Sequence, residues 1–265
     1  MTILLGVAAN SGVFAQASDS LQTAVDNPLR TPAYVARDPA RHPLQTLRFF
    51  GLQPAMTVVE LSPGGGWYSE ILAGYLRDSG RLVLAADDPE SVDVVYRRSA
   101  ARFTTRLAAK PTLYDRAVRS VFESPRELNF VPPGTADLVL TFRNVHNWAA
   151  EGDDAVSAVF AAVHRSLKPG GVFGVVDHRL PPSMPQDAKA SSGYLHTAYV
   201  VKLAEAAGFR LDASSEINAN PKDTADHAGG VWALPPSYAN KDVDRTRYAA
   251  IGESDRMTLR FVRVP

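Results

Sequence analysis

At 265 residues, with 45% apolar content and 28 basic against 28 acidic side chains, the chain can bury one sizeable core, and it has no net field favouring nucleic acid or an anionic membrane. It contains no cysteine, which excludes disulfides and thiolate metal sites.

The opening MTILLGVAANSGVFAQASDS joins a short apolar run to Ala15-Gln16-Ala17, which fits signal-peptidase cleavage before Ser18. No Lys or Arg precedes the run, and it is too short to span a bilayer. Residues 1–17 are therefore read as a signal-peptide remnant, and the mature chain as periplasmic or secreted. Residues 18–56 are proline-studded, and RHPLQTLRFFGL carries one helical apolar face, so this segment reads as a helical extension or lid. From residue 57 strands and helices alternate. MTVVEL is a buried strand, WYSEILAGYLRDSG a helix stopped by Gly80, RLVLAADD a second strand, and residues 91–110 an Arg- and Ala-rich helix. AVRSVFESP and ADLVLTFRNVHNW are read as the third and fourth strands. DDAVSAVFAAVHRSL is a helix with KPGG as its stop, and GVFGVVDHRL is the fifth strand. A further helix, GYLHTAYVVKLAEAAGF, precedes the sixth strand RLDASSEI and the seventh RMTLRFVRV, with a long polar insert at 218–255 between these two strands. Near-continuous apolar strands alternating with helices predict an α/β fold, a sheet covered on both faces, with ligands bound outside the carboxyl ends of the strands.

The segment TVVELSPGGGWYSEIL therefore lies where a ligand would sit. Glycines at 64, 65 and 66 let the chain turn tightly and let a ligand approach the main chain at a helix start. The run does not fit a dinucleotide fingerprint, because position 69 is serine, nor a Walker loop, because no Gly-Lys-Ser/Thr is present.

This loop resembles the acid-x-Gly-x-Gly-x-Gly loop of class I S-adenosylmethionine-dependent methyltransferases, with Glu60 as the acid and Ser62 in place of the first glycine. Asp87, 27 positions after Glu60, ends the next strand, and LKPGG and ADLVLTFRNVHNW extend the likeness across residues 57–212. More narrowly, LSPGGGWYSEIL, NVHNW, LKPGG, GVVDHR, NPKD and DRMTLRF resemble a family of predicted, exported bacterial methyltransferase-like proteins. The resemblance implies a Rossmann-like seven-stranded sheet over residues 57–265, six strands parallel and the last antiparallel. It implies S-adenosylmethionine as cofactor and S-adenosylhomocysteine as product. It assigns to the cofactor Glu60, Ser62, Gly64, Gly66, Tyr68, Asp87, Glu123 and Asn144.

Two polar clusters lie at strand ends. His146, in RNVHNW, is a candidate general base near neutral pH, or else a helix cap. Asn147 and Trp148 are candidate substrate contacts, though turn chemistry suits the one and core packing the other. In VVDHR, Asp177 and His178 join His146 as candidate catalytic groups, and Arg179 is placed to grip a substrate carboxylate or to form a strand-end salt bridge. No metal is expected, because Asp177 and His178 are consecutive on a strand and should face opposite ways. The reading is a methyltransferase for a small-molecule acceptor, without nucleic acid or a membrane span. Two alternatives stay open: a lyase or isomerase using His146, Asp177 and His178, and a non-catalytic periplasmic binding protein.

Overall fold

The computed structural model describes residues 20–264, so the expected leader at 1–17 lies outside the described residues. Seven strands form one sheet in the order β3-β2-β1-β4-β5-β7-β6. They are β1 (Thr57–Leu61), β2 (Arg81–Ala86), β3 (Val118–Val121), β4 (Ala136–Phe142), β5 (Leu167–His178), β6 (Phe209–Ser215) and β7 (Arg256–Arg263). β7 is inserted antiparallel between β5 and β6, while β3-β2-β1-β4-β5 pair in parallel, as the sequence predicts.

Alternation along the strands splits the core into two halves. Val59 and Leu61 of β1 pack into one cluster with Val139, Val159, Phe160 and Phe173. Val58 packs into the other with Leu82, Leu138, Ile71 and Leu72. A strand with both faces covered must be apolar at successive positions, which is why TVVEL shows no polar alternation. Leu21, Leu47 and Phe50 of the 18–56 extension belong to the second cluster, so that segment is packed into the core rather than laid loosely on it.

Seven helices matter below: α1 (Pro43–Phe49), α2 (Trp67–Leu76), α3 (Val94–Ala108), α4 (Val145–Glu151), α5 (Asp153–Ser166), α6 (Thr197–Ala206) and α7 (Arg245–Ile251). Two sequence readings need correction. NVHNW does not continue the fourth strand: residues 145–151 are helix α4, because Val145, Trp148 and Ala149, spaced three and four apart, all turn into the core. KPGG is not a stop between helix and strand: β5 already begins at Leu167. The glycines form a kink inside the strand's start, where a Cβ on Gly171 would lie 2.8 Å from the Lys168 carbonyl oxygen. No helix among the described residues is long and apolar enough to cross a membrane.

Candidate active site

The chain leaves β1 through Ser62, whose N–H still donates to the Ala85 carbonyl at 2.8 Å, and then turns through Gly64 and Gly66 into α2. Ser62, Gly64 and Gly66 all have positive φ, 48°, 58° and 81°. A Cβ on Gly64 would meet nothing nearer than the Ser62 carbonyl oxygen at 3.9 Å, so the bare main chain borders open space. That space is a cavity of about 520 Å³ at the carboxyl ends of β1, β2 and β4, walled by Ser62, Gly64, Asp87, Phe122, Ser124 and Asn144. Its volume suits a ligand the size of a nucleoside with a side arm. Asp87 closes β2 at this wall, and burial raises its carboxyl above the ordinary range while Ser99 pulls it down. Asn144 stitches the loop after β4 to the end of β1, donating to the Leu61 and Ser62 carbonyls at 3.2 and 3.3 Å.

Four of the residues assigned to the cofactor stand back from this wall. Glu60 is buried under the glycine turn, accepting from Ser69 Oγ at 2.6 Å, and burial pushes its carboxyl up to about 8. Gly66 is the residue from which α2 starts. Tyr68 stacks on Phe142 at 3.6 Å and 11°, on the side of α2 away from the cavity lining. Glu123 sits between the lining residues Phe122 and Ser124, its Oε1 taken by Arg126 and its Oε2 buried without a partner among the described residues.

A second, smaller cavity of about 190 Å³ adjoins the first, and Asn147 lines both. Its walls include His146 and His178, with Trp232, Pro235 and Pro236 contributed by the 218–255 insert. Here the N-terminal turn of α4 lies over the end of β5. Asp177 Oδ1 faces His146 Nδ1 at 2.7 Å, and its Oδ2 accepts the His146 backbone N–H at 3.1 Å. Asp177 Oδ1 also accepts from the His178 backbone N–H at 2.7 Å, so the carboxylate curls back along its own strand end. This corrects the expected opposition of Asp177 and His178. β5 has already lost its pairing with β4 after Val176, and the two side chains reach the same site. Ligand atoms of His146, Asp177 and His178 lie within 4.8 Å of one another. Two backbone N–H groups and the His146 ring nitrogen are directed at the Asp177 carboxylate, which holds the imidazole in place. The His178 ring lies 5.0 Å from that of His146, and its Nδ1 is 2.5 Å from Ser254 Oγ. Burial, then the neighbouring His146, Arg143, Arg256 and Arg41, hold His178 well below its ordinary value, so it is a neutral imidazole.

The remaining sequence candidates divide. Asn147 is exposed at the junction of the two cavities. Trp148 is almost wholly buried, edge-on to Phe122 at 5.7 Å, and presents only part of the larger cavity's floor. Arg179 is held by both Asp255 oxygens at 2.7 and 2.9 Å and both Glu216 oxygens at 2.8 and 2.7 Å, which occupies its fork. NPKD supplies an anchor: Asp223 accepts from Tyr194, from His227 and from the Asp255 backbone N–H, pinning the insert to the start of β7.

Sequence reasoning gave no role to Arg143, Trp232, Glu253, Ser254 or Arg256. Glu253 is approached by Arg37 at 2.7 Å, Arg41 at 3.0 Å and Arg256 at 3.3 Å. Burial pushes the Glu253 carboxyl up, but Arg41, Arg256 and Arg37 outweigh it and hold the group at about 2. A cue was available: Arg256 lies in the quoted DRMTLRF, and Arg143 directly precedes Asn144 at the strand end.

No family model matches the chain, and no curated protein matches its sequence. Solved structures do match over almost the whole length. A SAM-dependent methyltransferase from Aquifex aeolicus aligns over 93% of this chain and 98% of its own, at 15% identity and a TM-score of 0.55. The [4+2]-cyclase SpnF aligns over 96% and 95%, at 14% identity and 0.59. Geranyl diphosphate C-methyltransferase from Streptomyces coelicolor A3(2), in a complex that includes S-adenosyl-L-homocysteine, aligns over 91% and 88%, at 13% identity and 0.56. The chain has the class I S-adenosylmethionine-dependent methyltransferase fold.

Proposed function

We propose that the protein is an S-adenosylmethionine-dependent methyltransferase acting on a small-molecule acceptor. The observation that carries this is the junction at Asn147. An open glycine cradle beside a strand-end carboxylate shares Asn147 with a smaller chamber holding a carboxylate-oriented histidine. The larger cavity would hold the cofactor, with Gly64 leaving room for its amino-acid arm and Asp87 accepting from the ribose hydroxyls. Bound there, S-adenosylmethionine supplies an electrophilic methyl group on a sulfonium.

The chain's own residues provide positioning and proton removal. With Asp177 accepting from His146 Nδ1–H, the ring is fixed and Nε2 is left as its basic atom. His146 Nε2 would take the acceptor's proton as the acceptor attacks, a contribution of roughly 10²–10⁴ in rate for general bases. Neutral His178 adds no competing charge beside the imidazolium that results. Trp232 and Pro235 of the insert form part of the smaller chamber's wall.

Acid–base chemistry without methyl transfer is the second reading. The paired imidazoles 5.0 Å apart favour it, as does the occurrence of a cyclase on this fold. The test is calorimetric titration of the purified chain with S-adenosylmethionine and S-adenosylhomocysteine, together with Asp87→Ala. Micromolar binding, weakened about tenfold or more by Asp87→Ala, is the expected result. No binding to either ligand, combined with turnover that depends on His146, would favour the second reading.

A further inference from the structure

We propose that the smaller chamber is built for an acceptor bearing an oxyanion, a carboxylate or a phosphate, gripped by the guanidinium of Arg143. The proposal rests on reading that chamber as the acceptor site and names the class of acceptor. Arg143 lines the chamber directly after β4, partly accessible, with its own N–H held by the Val176 carbonyl at 2.7 Å. Among the described residues its guanidinium has no hydrogen bond and no ion pair.

The acids nearby are already committed. Asp177 is taken by His146 and by the His178 N–H, and Asp255 and Glu216 are taken by Arg179. Glu253, also on the chamber wall, is shared by Arg37, Arg41 and Arg256. Four guanidiniums therefore surround one available carboxylate. Three N–H-bearing atoms of that group, Arg37 Nη2, Arg41 Nη2 and Arg256 Nε, are buried without partners. Burial first, then neighbouring arginines, lower Arg41 to about 9 and Arg143 to about 10, although Glu253 opposes the shift.

A cluster of guanidiniums short of carboxylates and partly withdrawn from water is costly, and an anion entering the chamber beside Arg143 relieves that cost. Arginine's planar fork matches the paired oxygens of a carboxylate or phosphate. Val231, Trp232, Pro235 and Pro236 give the rest of the wall an apolar part beside polar Asn147, Ser237 and Ser254, and about 190 Å³ admits only a short organic body beyond the charged group. Arg179, the sequence candidate for this task, has its fork filled by Glu216 and Asp255.

The test uses the full chain in buffers of constant ionic strength, with sodium acetate or inorganic phosphate replacing chloride. Thermal unfolding is followed for the wild type, Arg143→Met and Arg143→Lys, and S-adenosylhomocysteine is titrated into each. One or both anions should raise the wild-type Tm by about 3–5 °C, the shift for a ligand near ten times its Kd. The more effective anion identifies which oxyanion the chamber prefers. Arg143→Met should lose the rise, melt no lower than wild type in chloride, and bind S-adenosylhomocysteine within about threefold of wild type. Arg143→Lys, which keeps the charge without the fork, should show at most half the rise. The proposal is overturned by no rise in wild type, by an equal rise in either variant, or by an Arg143→Met protein that melts far lower or fails to fold in chloride. Absence of S-adenosylhomocysteine binding with the anion effect intact would remove the methyltransferase reading and leave the anion site standing. The reverse pattern would remove only the anion site.

Discussion

The two cavities that meet at Asn147 are made in different ways. The larger opens beside bare main chain at the glycine turn after β1, with Asp87 and Asn144 at neighbouring strand ends and side chains of α3 and α4, Tyr96, Arg102 and Glu151 among them, closing the rest of its wall. The smaller is made of side chains brought from far apart, with Arg37 meeting Glu253 across 216 positions and His178 meeting Ser254 across 76. On the proposed function, the sheet would supply the cofactor cradle, while the insert and the N-terminal extension would shape the acceptor chamber. Function on a widely used fold lives in such grafted sites.

If that division holds, changes in one chamber should leave the other intact. The largest expected effect is at His146. His146→Gln should lower turnover by about 10²–10⁴ while leaving S-adenosylhomocysteine affinity unchanged, read from kcat and calorimetry on the same preparations. A parallel loss of cofactor binding would join the two chambers and break the comparison.

Next comes Glu253→Gln, which strips the shared carboxylate from three arginines. A loss of about 3–5 kcal/mol in urea unfolding at pH 7 is expected. Because Glu253 sits at about 2 when folded and near 4.5 when not, its stabilisation is complete above 4.5 and disappears as pH falls through 2. The variant should therefore lose the wild type's acid sensitivity over that interval.

Glu60 tests the other chamber with the opposite sign. The folded carboxyl keeps its proton up to about pH 8, whereas the unfolded chain releases it near 4.5, so the folded state binds more protons between these limits. Stability should fall as pH rises from 4.5 to 8, and Glu60→Gln should flatten that slope. An unchanged slope would mean that Glu60 is ionised beneath the turn.

The smallest effect is at Ser62, a non-glycine residue at φ 48°. Ser62→Gly should raise stability by about 0.5–1 kcal/mol by relieving the left-handed conformation.

The legibility of the sequence follows the same division. The glycine turn and the strand-end place of Asp87 were readable from local pattern, whereas the antiparallel last strand came from the family resemblance that the motifs carry. Helix α4 was misread because Val145, Trp148 and Ala149 sit in a stretch too short for its period to stand out from the strand before it. Arg143 was passed over, and Arg179 favoured, because which arginine keeps an open fork depends on Glu216 and Asp255, acids 37 and 76 positions from Arg179. No spacing rule reports that. The placing of His146 and Asp177 near one another was anticipated from strand ends, but their direct contact at 2.7 Å emerged only from the helix laid across β5.

The account rests on the turn at 62–66 being a cofactor cradle, and calorimetry of S-adenosylhomocysteine binding to wild type and Gly64→Val tests it most directly. A valine there would fill the open space beside the main chain at a φ of 58°, so the account expects saturable one-to-one binding in wild type and at least a hundredfold loss in a variant that remains folded. Wild-type protein that takes up no S-adenosylhomocysteine, or a folded valine variant that binds it as well as wild type, would contradict it.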